Sequence, residues 1–418
     1  MSPNRPQVQL RVLIFTQYFT PEIGATQTRV HAFAAGLAER GHELTVVCEL
    51  PNHPQGVVHP GYRGSPIRRR RLDGFEAVYV WVRARPEKTT ANRLLFYVSY
   101  AAMASLVGAA MPRPDVVLAS SPPLPVAVAG LLAAARFRVP WVMDVRDLWP
   151  EAAVALGELS NERALRLAER MERRLYASAA AITTVTEPFR EAIATRTSDP
   201  AKVSVVPNGT TRLWVDGAEL PGDRDAVDLP ADRFIVAFAG NVGPAQGLEA
   251  AIDAAGLLDD GYQVLILGDG PARRKLEARA AALPPGRVVF RDQVPAPAAV
   301  LYLRACDCLL VPLAPHPSLR TFVPSKLYDF CAVGRPVVVA AAGEPQRLAA
   351  ESGAALAIPP GDPDALASAL RRLRGDAELR QRLVERGREF GAANLRERQL
   401  ERIETVLGGA ASGRSLHP

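Results

Sequence analysis

Cysteine and histidine are scarce in this chain of 418 residues, and their scarcity removes two chemistries at once. The four cysteines, Cys48, Cys306, Cys308 and Cys331, are too few for a disulfide scaffold. Cys306 and Cys308 stand two apart in the apolar run ACDCLLVPL, with no second pair or histidine cluster to complete a zinc site, so they read as core. None of His31, His42, His53, His59, His316 and His417 has ligand spacing to another metal-binding side chain, and no metal centre is expected. NHPQGVVHP places His53 and His59 in a Pro-rich loop that shapes a surface rather than performing chemistry. No apolar leader precedes the first strand-like run, RVLIFT, so a reducing, cytoplasmic setting is expected. A full G-x-G-x-x-G fingerprint is also missing: GNVGPAQG has the wrong intervals, which argues against a bound dinucleotide.

Charge of one sign does not dominate either. Fifty Lys and Arg against 44 Asp and Glu leave a net charge of +6, enough to favour anionic substrates or a membrane surface without requiring nucleic acid. The charge is unevenly placed. Arg68 to Arg71 form an unbroken basic run, joined by Arg83, Arg85, Lys88 and Arg93, and a nearly uncharged stretch, LLFYVSYAAMASLVGAAM, follows from Leu94 to Met111. Residues 68–111 therefore resemble a membrane edge, which suits peripheral contact with an anionic bilayer at the inner face of the plasma membrane. At 18 residues, with Ser99, Ser105 and Gly108 inside it, the apolar run is at the lower limit for spanning, so a buried helix or an interfacial one is expected ahead of a span.

What the chain has in abundance is alternation. Apolar, β-branched runs alternate with amphipathic helical segments, first RVLIFT, then TRVHAFAAGLAERG, then HELTVVCE, the pattern of an α/β fold with a parallel sheet covered by helices. The runs continue at residues 115–120, 139–145, 180–185 and 202–207. After a Pro-, Gly- and Asp-rich stretch a new series opens with FIVAFAG and runs through YQVLILGDG, GRVVFRDQVP, DCLLVPLAP, RPVVVAAAG and GAALAIPP. Two Rossmann-like domains are expected: residues 1–207, residues 208–395, and a C-terminal helix and frayed tail over 396–418, the helix able to return to the first domain.

Ligands of open parallel sheets collect beyond the carboxyl ends of the strands, so the residues just after each run carry the function. In the first half these are Gly24 in QYFTPEIGATQTR, the elbow SPPLP, and Asp144, Arg146 and Asp147 in DVRDLWP. Three charges at a strand end are either a mutually satisfied network or part of a site. In the second half, Gly240-Asn241-Val242-Gly243 with Gln246-Gly247, and Gly268-Asp269-Gly270-Pro271, allow backbone N–H groups to approach a phosphate at a helix start. The sharpest segment is TFVPSKLYDFCAVGRP, residues 321 to 336. Pro324 and Ser325 cap a helix whose free N–H groups point outward beside the ammonium of Lys326, a seat for a phosphate. Asp329, three residues on and on nearly the same face, is able to accept hydrogen bonds from the vicinal hydroxyls of a ribose. The competing reading is an ordinary capped helix with an intrahelical ion pair.

In order and in kind these motifs resemble the retaining glycosyltransferases of family 4. The match runs through the Gly24 loop, SPP at 121–123, DVRDLWP, VPNG at 206–209, GNVGPAQGLE, LGDGP, and PSKLYDF with its trailing Gly334 and Pro336. DVRDLWP and PSK further resemble the branch that builds colanic acid, O-antigen and capsular polysaccharides. The resemblance implies the GT-B fold, two Rossmann-like domains facing an interdomain cleft, residues 1–207 binding the acceptor and residues 208–395 the nucleotide-sugar, and a sugar, an amino- or deoxysugar among the options, moved from a nucleotide diphosphate donor. A UDP-sugar is favoured, a GDP-sugar is also compatible, and the acceptor is a glycan or a polyprenyl-pyrophosphate-linked glycan. It implies no cofactor and no obligatory metal, and no DxD-type metal motif stands among the matching segments.

The chain departs from the family pattern at its most informative positions. The family places two glutamates eight residues apart around the donor; here Thr321 occupies the first position and Asp329 the second, so the sugar-facing charge is absent. Asn241 and Gln246 stand where the family has the Arg and Lys that hold the diphosphate, and Arg146 stands where many members have a histidine. Lys326 becomes the replacement cation. Donor binding is thus expected from Gly24, Gly240, Asn241, Gln246, Gly268, Thr321, Pro324, Ser325, Lys326 and Asp329, and catalysis from Lys326 with Asp144, Arg146 and Asp147. Two readings from other classes compete: a sugar-nucleotide epimerase of similar architecture, and a noncatalytic membrane-associated scaffold.

Overall fold

The computed structural model describes residues 9–413 apart from 23, 54, 88, 152, 153 and 155–160; Lys88, His417 and the last residues of the expected tail lie outside the described residues. The chain divides into two compact units, residues 1–208 with 397–418, and residues 209–396.

The first unit is built on an eight-stranded sheet in the order β3-β4-β2-β1-β5-β6-β7-β8. The strands are β1 (Arg11–Thr16), β2 (Glu43–Glu49), β3 (Ile67–Leu72), β4 (Phe75–Val80), β5 (Val116–Ser121), β6 (Trp141–Val145), β7 (Ala181–Thr184) and β8 (Val203–Val205). All neighbours run parallel except β3, which pairs antiparallel with β4 and forms the edge. That edge strand carries Arg68 to Arg71, so the basic run is a ladder of exposed or half-exposed charges where an unpaired edge is best kept polar. Central strands such as VVLASS are buried at every position, as a sheet covered on both faces requires.

Each face has its own core. On one side α1 (Ala25–Glu39) packs through Val30, Phe33, Ala34 and Leu37. The C-terminal helix Arg396–Ala411 joins the same core through Leu400, Ile403, Val406 and Leu407. On the other side lies α2 (Thr90–Ala109), started by Thr89, whose hydroxyl accepts the Asn92 N–H at 3.2 Å. Only one stripe of α2 is core: Tyr100, Ala104, Val107 and Gly108 are buried, whereas Leu94, Leu95, Val98 and Leu106 are exposed. Tyr100 fixes the helix to the sheet, its hydroxyl directed at the carbonyls of Thr16 (2.8 Å) and Val47 (2.9 Å). The span reading of 94–111 is corrected by this packing, and no helix among the described residues is long and apolar enough to cross a membrane.

The second unit carries a six-stranded, wholly parallel sheet in the order β11-β10-β9-β12-β13-β14. Its strands are β9 (Phe234–Ala239), β10 (Tyr262–Leu267), β11 (Val288–Arg291), β12 (Cys308–Pro312), β13 (Val337–Ala340) and β14 (Leu356–Ile358). The helix of the PSK segment spans Ser325–Ala332 and buries Leu327, Tyr328, Phe330 and Cys331, leaving Lys326 and Asp329 on its other side. All four cysteines are free and buried, and burial pushes the thiols of Cys306 and Cys331 up to about 12, as suits core residues.

Candidate functional site

In the second unit the expected donor residues converge beyond β9 and β10. Gly240 follows β9 and Gly268 follows β10, with φ of +130° and +150°, values that side-chain-bearing residues rarely adopt. A Cβ on Gly268 would stand 2.0 Å from the Gly240 carbonyl oxygen, so the two turns are interlocked and only glycine fits. Interlocking brings the loops together: Val242 N–H donates to the Asp269 carbonyl at 2.9 Å and Ala272 N–H to the Val242 carbonyl at 3.0 Å.

Lys326 reaches into this corner from the first turn of its helix. Its Nζ donates to Gln246 Oε1 at 3.0 Å and stands 4.2 Å from the centre of the Phe238 ring. A Cβ placed on Gly240 would lie 3.3 Å from that Nζ, which puts the ammonium directly over the end of β9. Lys326, Gln246 and Gly240 are therefore one cluster, with Asn241 exposed at its side. Burial pushes the Lys326 ammonium down to about 7, against the pull of the Asp329 carboxylate. A cation held near neutrality, with one neutral partner, is poised to gain from an arriving anion.

Asp329 is engaged differently from the expectation of an open ribose acceptor. Its Oδ1 accepts from Thr210 Oγ1 at 2.7 Å, and no ion pair with Lys326 forms among the described residues. The ordinary intrahelical pair is thereby corrected: the two side chains have separate partners. Burial raises Asp329 to about 6, while the Thr210 hydroxyl, Arg396 and Lys326 pull in the other direction. Thr210 is fully buried and tied into a local bridge, its N–H to the Asn394 carbonyl (2.9 Å) and its carbonyl from Arg396 N–H (2.8 Å).

Three smaller expectations need adjustment. Gln246 does not open an α-helix; it closes a 3-10 turn, Pro244–Gln246, before the helix Glu249–Gly256. Pro324 is the residue before the PSK helix and offers no side-chain cap; Ser325 is the first helical residue. Thr321 is half-buried in the preceding loop, with bonding partners of its own.

In the first unit, Asp144 belongs to a closed network. It is fully buried and accepts from Arg29 Nη2 (2.9 Å), Arg29 Nε (3.3 Å), Ser120 Oγ (2.8 Å) and Thr183 Oγ1 (2.9 Å). Burial works against its charge, yet Arg29 outweighs it and holds the carboxyl below the usual range. Both oxygens are thus engaged inside the protein, with Arg29, Ser120 and Thr183 as partners. Arg29 also donates to the Pro207 carbonyl at 3.1 Å, which fastens the VPNG segment. Arg146 spans Ser120 Oγ (3.0 Å), the Pro122 carbonyl (2.8 Å) and Thr26 Oγ1. Asp147 is half-buried, forms no hydrogen bond among the described residues, and is raised by burial despite the nearby Arg146 guanidinium. Gly24 precedes α1 in extended backbone, and the nearest atoms a Cβ there would meet are those of the Gln27 side chain, Oε1 at 2.4 Å. No group of three or more His, Cys, Asp or Glu among the described residues is arranged to hold a metal.

Two parallel-sheet Rossmann-like units, with glycine turns and a lysine at a strand end of the second, define a GT-B glycosyltransferase. The chain belongs to that class by sequence as well: residues 24–209 match the glycosyl transferase 4-like domain and residues 233–376 match glycosyl transferases group 1. It is similar to WcaI of Escherichia coli (strain K12), a glycosyl transferase named for colanic acid biosynthesis, with 26% identity over 79% of this chain and 83% of WcaI. Among solved structures it superposes on sucrose-phosphate synthase of Thermosynechococcus elongatus with a TM-score of 0.72, at 20% identity, covering 97% of this chain and 100% of that one. Anabaena HepE in complex with UDP-glucose gives a TM-score of 0.68 at 17% identity, over 95% of this chain and 98% of that one.

Proposed function

We propose that this glycosyltransferase moves a sugar from a UDP-sugar to a glycan or polyprenyl-pyrophosphate-linked acceptor in surface polysaccharide synthesis, with retention and without a metal. The observation that carries the reading is the ammonium of Lys326 over the end of β9, between Gly240 and Gln246. Departure of a nucleoside diphosphate builds negative charge on its β-phosphate, and a cation with backbone N–H groups at a helix start stabilises that charge. Lys326 and the first turn of its helix, Pro324 and Ser325 at its head, serve this purpose. The glycine turns at Gly240 and Gly268 let the backbone approach the phosphates, with Asn241 and Gln246 as neutral hydrogen-bonding groups. Asp329, held by Thr210, faces the ribose. A GDP-sugar uses the same phosphate contacts; UDP is preferred because the structural relative HepE holds UDP-glucose.

The role in surface polysaccharide synthesis follows the similarity to WcaI. Retention follows from attack on the face that the diphosphate leaves: the acceptor oxygen bonds to the anomeric carbon, the C–O bond to the β-phosphate breaks, and the departing phosphate takes the acceptor proton. The exposed leucines of α2 and the arginines of 68–93 support contact with an anionic membrane, since Leu94 and Leu106 are 61% and 70% exposed where a soluble helix face would be polar. Thermal stabilisation by UDP, GDP, ADP and TDP tests the reading: a shift with UDP is expected, and no shift with any of them overturns it.

A further inference from the structure

Four buried polar atoms at the ends of β1 and β2 reach no hydrogen-bond partner among the described residues: Gln17 Nε2 and Oε1, Glu22 Oε2 and Glu49 Oε2. Gln17 follows β1 and Glu49 closes β2, and the Glu49 N–H donates to the Gln17 carbonyl at 3.0 Å. Asn52 joins the two carboxylates, its N–H donating to Glu22 Oε1 at 2.7 Å and its Nδ2 to Glu49 Oε1 at 2.8 Å. Gln17 is fully buried, Glu49 is 1% exposed and Glu22 6%, so none of them is served by bulk water.

Three of these four atoms are acceptors when both glutamates are ionised, and only Gln17 Nε2 is a donor. The count does not close without a further donor, and buried acceptors left alone are costly. A proton on one carboxyl turns an acceptor into a donor and serves a second acceptor at the same time.

The charge balance requires the same proton. Burial raises the Glu49 carboxyl, the Glu22 carboxylate raises it further, and only the neutral side chains of Gln17 and Asn52 pull the other way; no cation acts on it. The titratable groups nearest the pair are acids as well: Tyr18 on the loop after β1, Cys48 on β2, and Tyr100 on α2. Behind them stand Tyr97 on α2, beside Tyr18, and Tyr79 on β4, beside Cys48. His53 turns its ring to Tyr18 at 6.0 Å, and Arg85, Glu87 and Arg93 line a cavity with Tyr18 and Asn52 without entering the balance at Glu49.

We infer that Glu49 and Glu22 form a carboxyl pair with one proton held between their free oxygens, and that this proton latches the loop of Asn52 and His53 to the end of β2. Glu22 Oε1 accepts the His53 N–H as well as that of Asn52, each at 2.7 Å, and Asn52 Nδ2 also donates to the Leu50 carbonyl at 2.9 Å, so the loop is bonded to the pair at several points. Loss of the proton leaves two like charges buried without a counterion, and the loop opens to let water reach them. The latch belongs to the first unit alone and stands apart from the transferase reading.

Amide hydrogen exchange of the full chain tests the latch. Opening releases the proton, so protection of the Asn52 and His53 amides, corrected for the pH dependence of chemical exchange, is expected to fall about tenfold per pH unit above the ordinary glutamate value near 4.3, and to level off only where Glu49 ionises in place. Glu49→Gln keeps a neutral donor at this position and is expected to flatten the profile, with both amides still protected at high pH. An unchanged slope in that variant would overturn the latch, and a flat profile in the unmodified protein would overturn it whether or not the variant folds. Infrared difference spectra at pH 7.5 supply a second readout: a protonated-carboxyl band, shifted in D2O, is expected in the unmodified protein and absent from Glu49→Gln, Asp329 being raised only to about 6 and so mostly ionised there. Equal bands in the two proteins would contradict the shared proton. So would a rise in the melting temperature of the unmodified protein with magnesium or calcium chloride that Glu49→Gln abolishes, since a metal ion would then stand between the carboxylates in the proton's place.

Discussion

Lys326 and Gln246, 80 residues apart in sequence, meet at 3.0 Å over the end of β9, while Asp329, the opposite charge that acts on the lysine, is offset along its own helix and bonded to Thr210. The amide neutralises nothing, so the ammonium is held at a cost in hydration that a phosphate would relieve. That relationship sets the behaviour of the donor site.

A proton is expected to accompany the donor. The free ammonium titrates at about 7, and a bound diphosphate favours its charged form, so affinity is full below 7 and falls about tenfold per pH unit above it, until the pKa of the complex is reached. Titration calorimetry of UDP at pH 8 in buffers of different ionisation enthalpy should show net proton uptake. Lys326→Met should lose both the slope and the uptake.

Asp329 should make the protein less stable as pH rises. Its folded-state value of about 6 lies above the ordinary value near 3.9, so the folded form binds more protons in that window. Stability therefore falls between roughly pH 4 and 6 and stays lowered above it, by about 2–3 kcal/mol at most. Asp329→Asn keeps a partner for Thr210 and should flatten this profile in urea unfolding, while weakening UDP more than it weakens inorganic pyrophosphate.

Asp144 is expected to matter for folding. Removing its charge leaves Arg29 buried without its partner, a loss of about 3–5 kcal/mol for such pairs. Asp144→Asn should lower the urea midpoint steeply. Loss of turnover with an unchanged midpoint would instead make Asp144 a group that touches the acceptor.

The exposed face of α2 should bind anionic bilayers. Leu94→Glu combined with Leu106→Glu adds charge at two positions outside the core, so the fold should persist while cosedimentation with phosphatidylglycerol vesicles is lost. Equal cosedimentation of this variant and the unmodified protein would remove the face from membrane contact.

Much of the architecture was legible because parallel strands covered on both faces are written as apolar runs, and because donor residues follow those runs. Gly240, Gln246 and Lys326 were each visible as strand-end or helix-start residues, and the structure brings them together. Partners were not legible. Asp144 is claimed by Arg29 across 115 residues and Asp329 by Thr210 across 119, and no local pattern shows which distant donor a carboxylate will take. The apolar run at 94–111 was legible as a helix short of a span, but overall hydropathy does not reveal which stripe of a helix is core.

The most direct measurement is the affinity of UDP for the Lys326→Ala protein, by calorimetry at pH 6.5, beside the unmodified chain. One charge-assisted contact is worth about 1.5–3 kcal/mol, so affinity should drop roughly ten- to a hundredfold with the melting temperature of the free protein preserved. Equal affinity in the two proteins would contradict the assignment of Lys326 as the cation that holds the diphosphate.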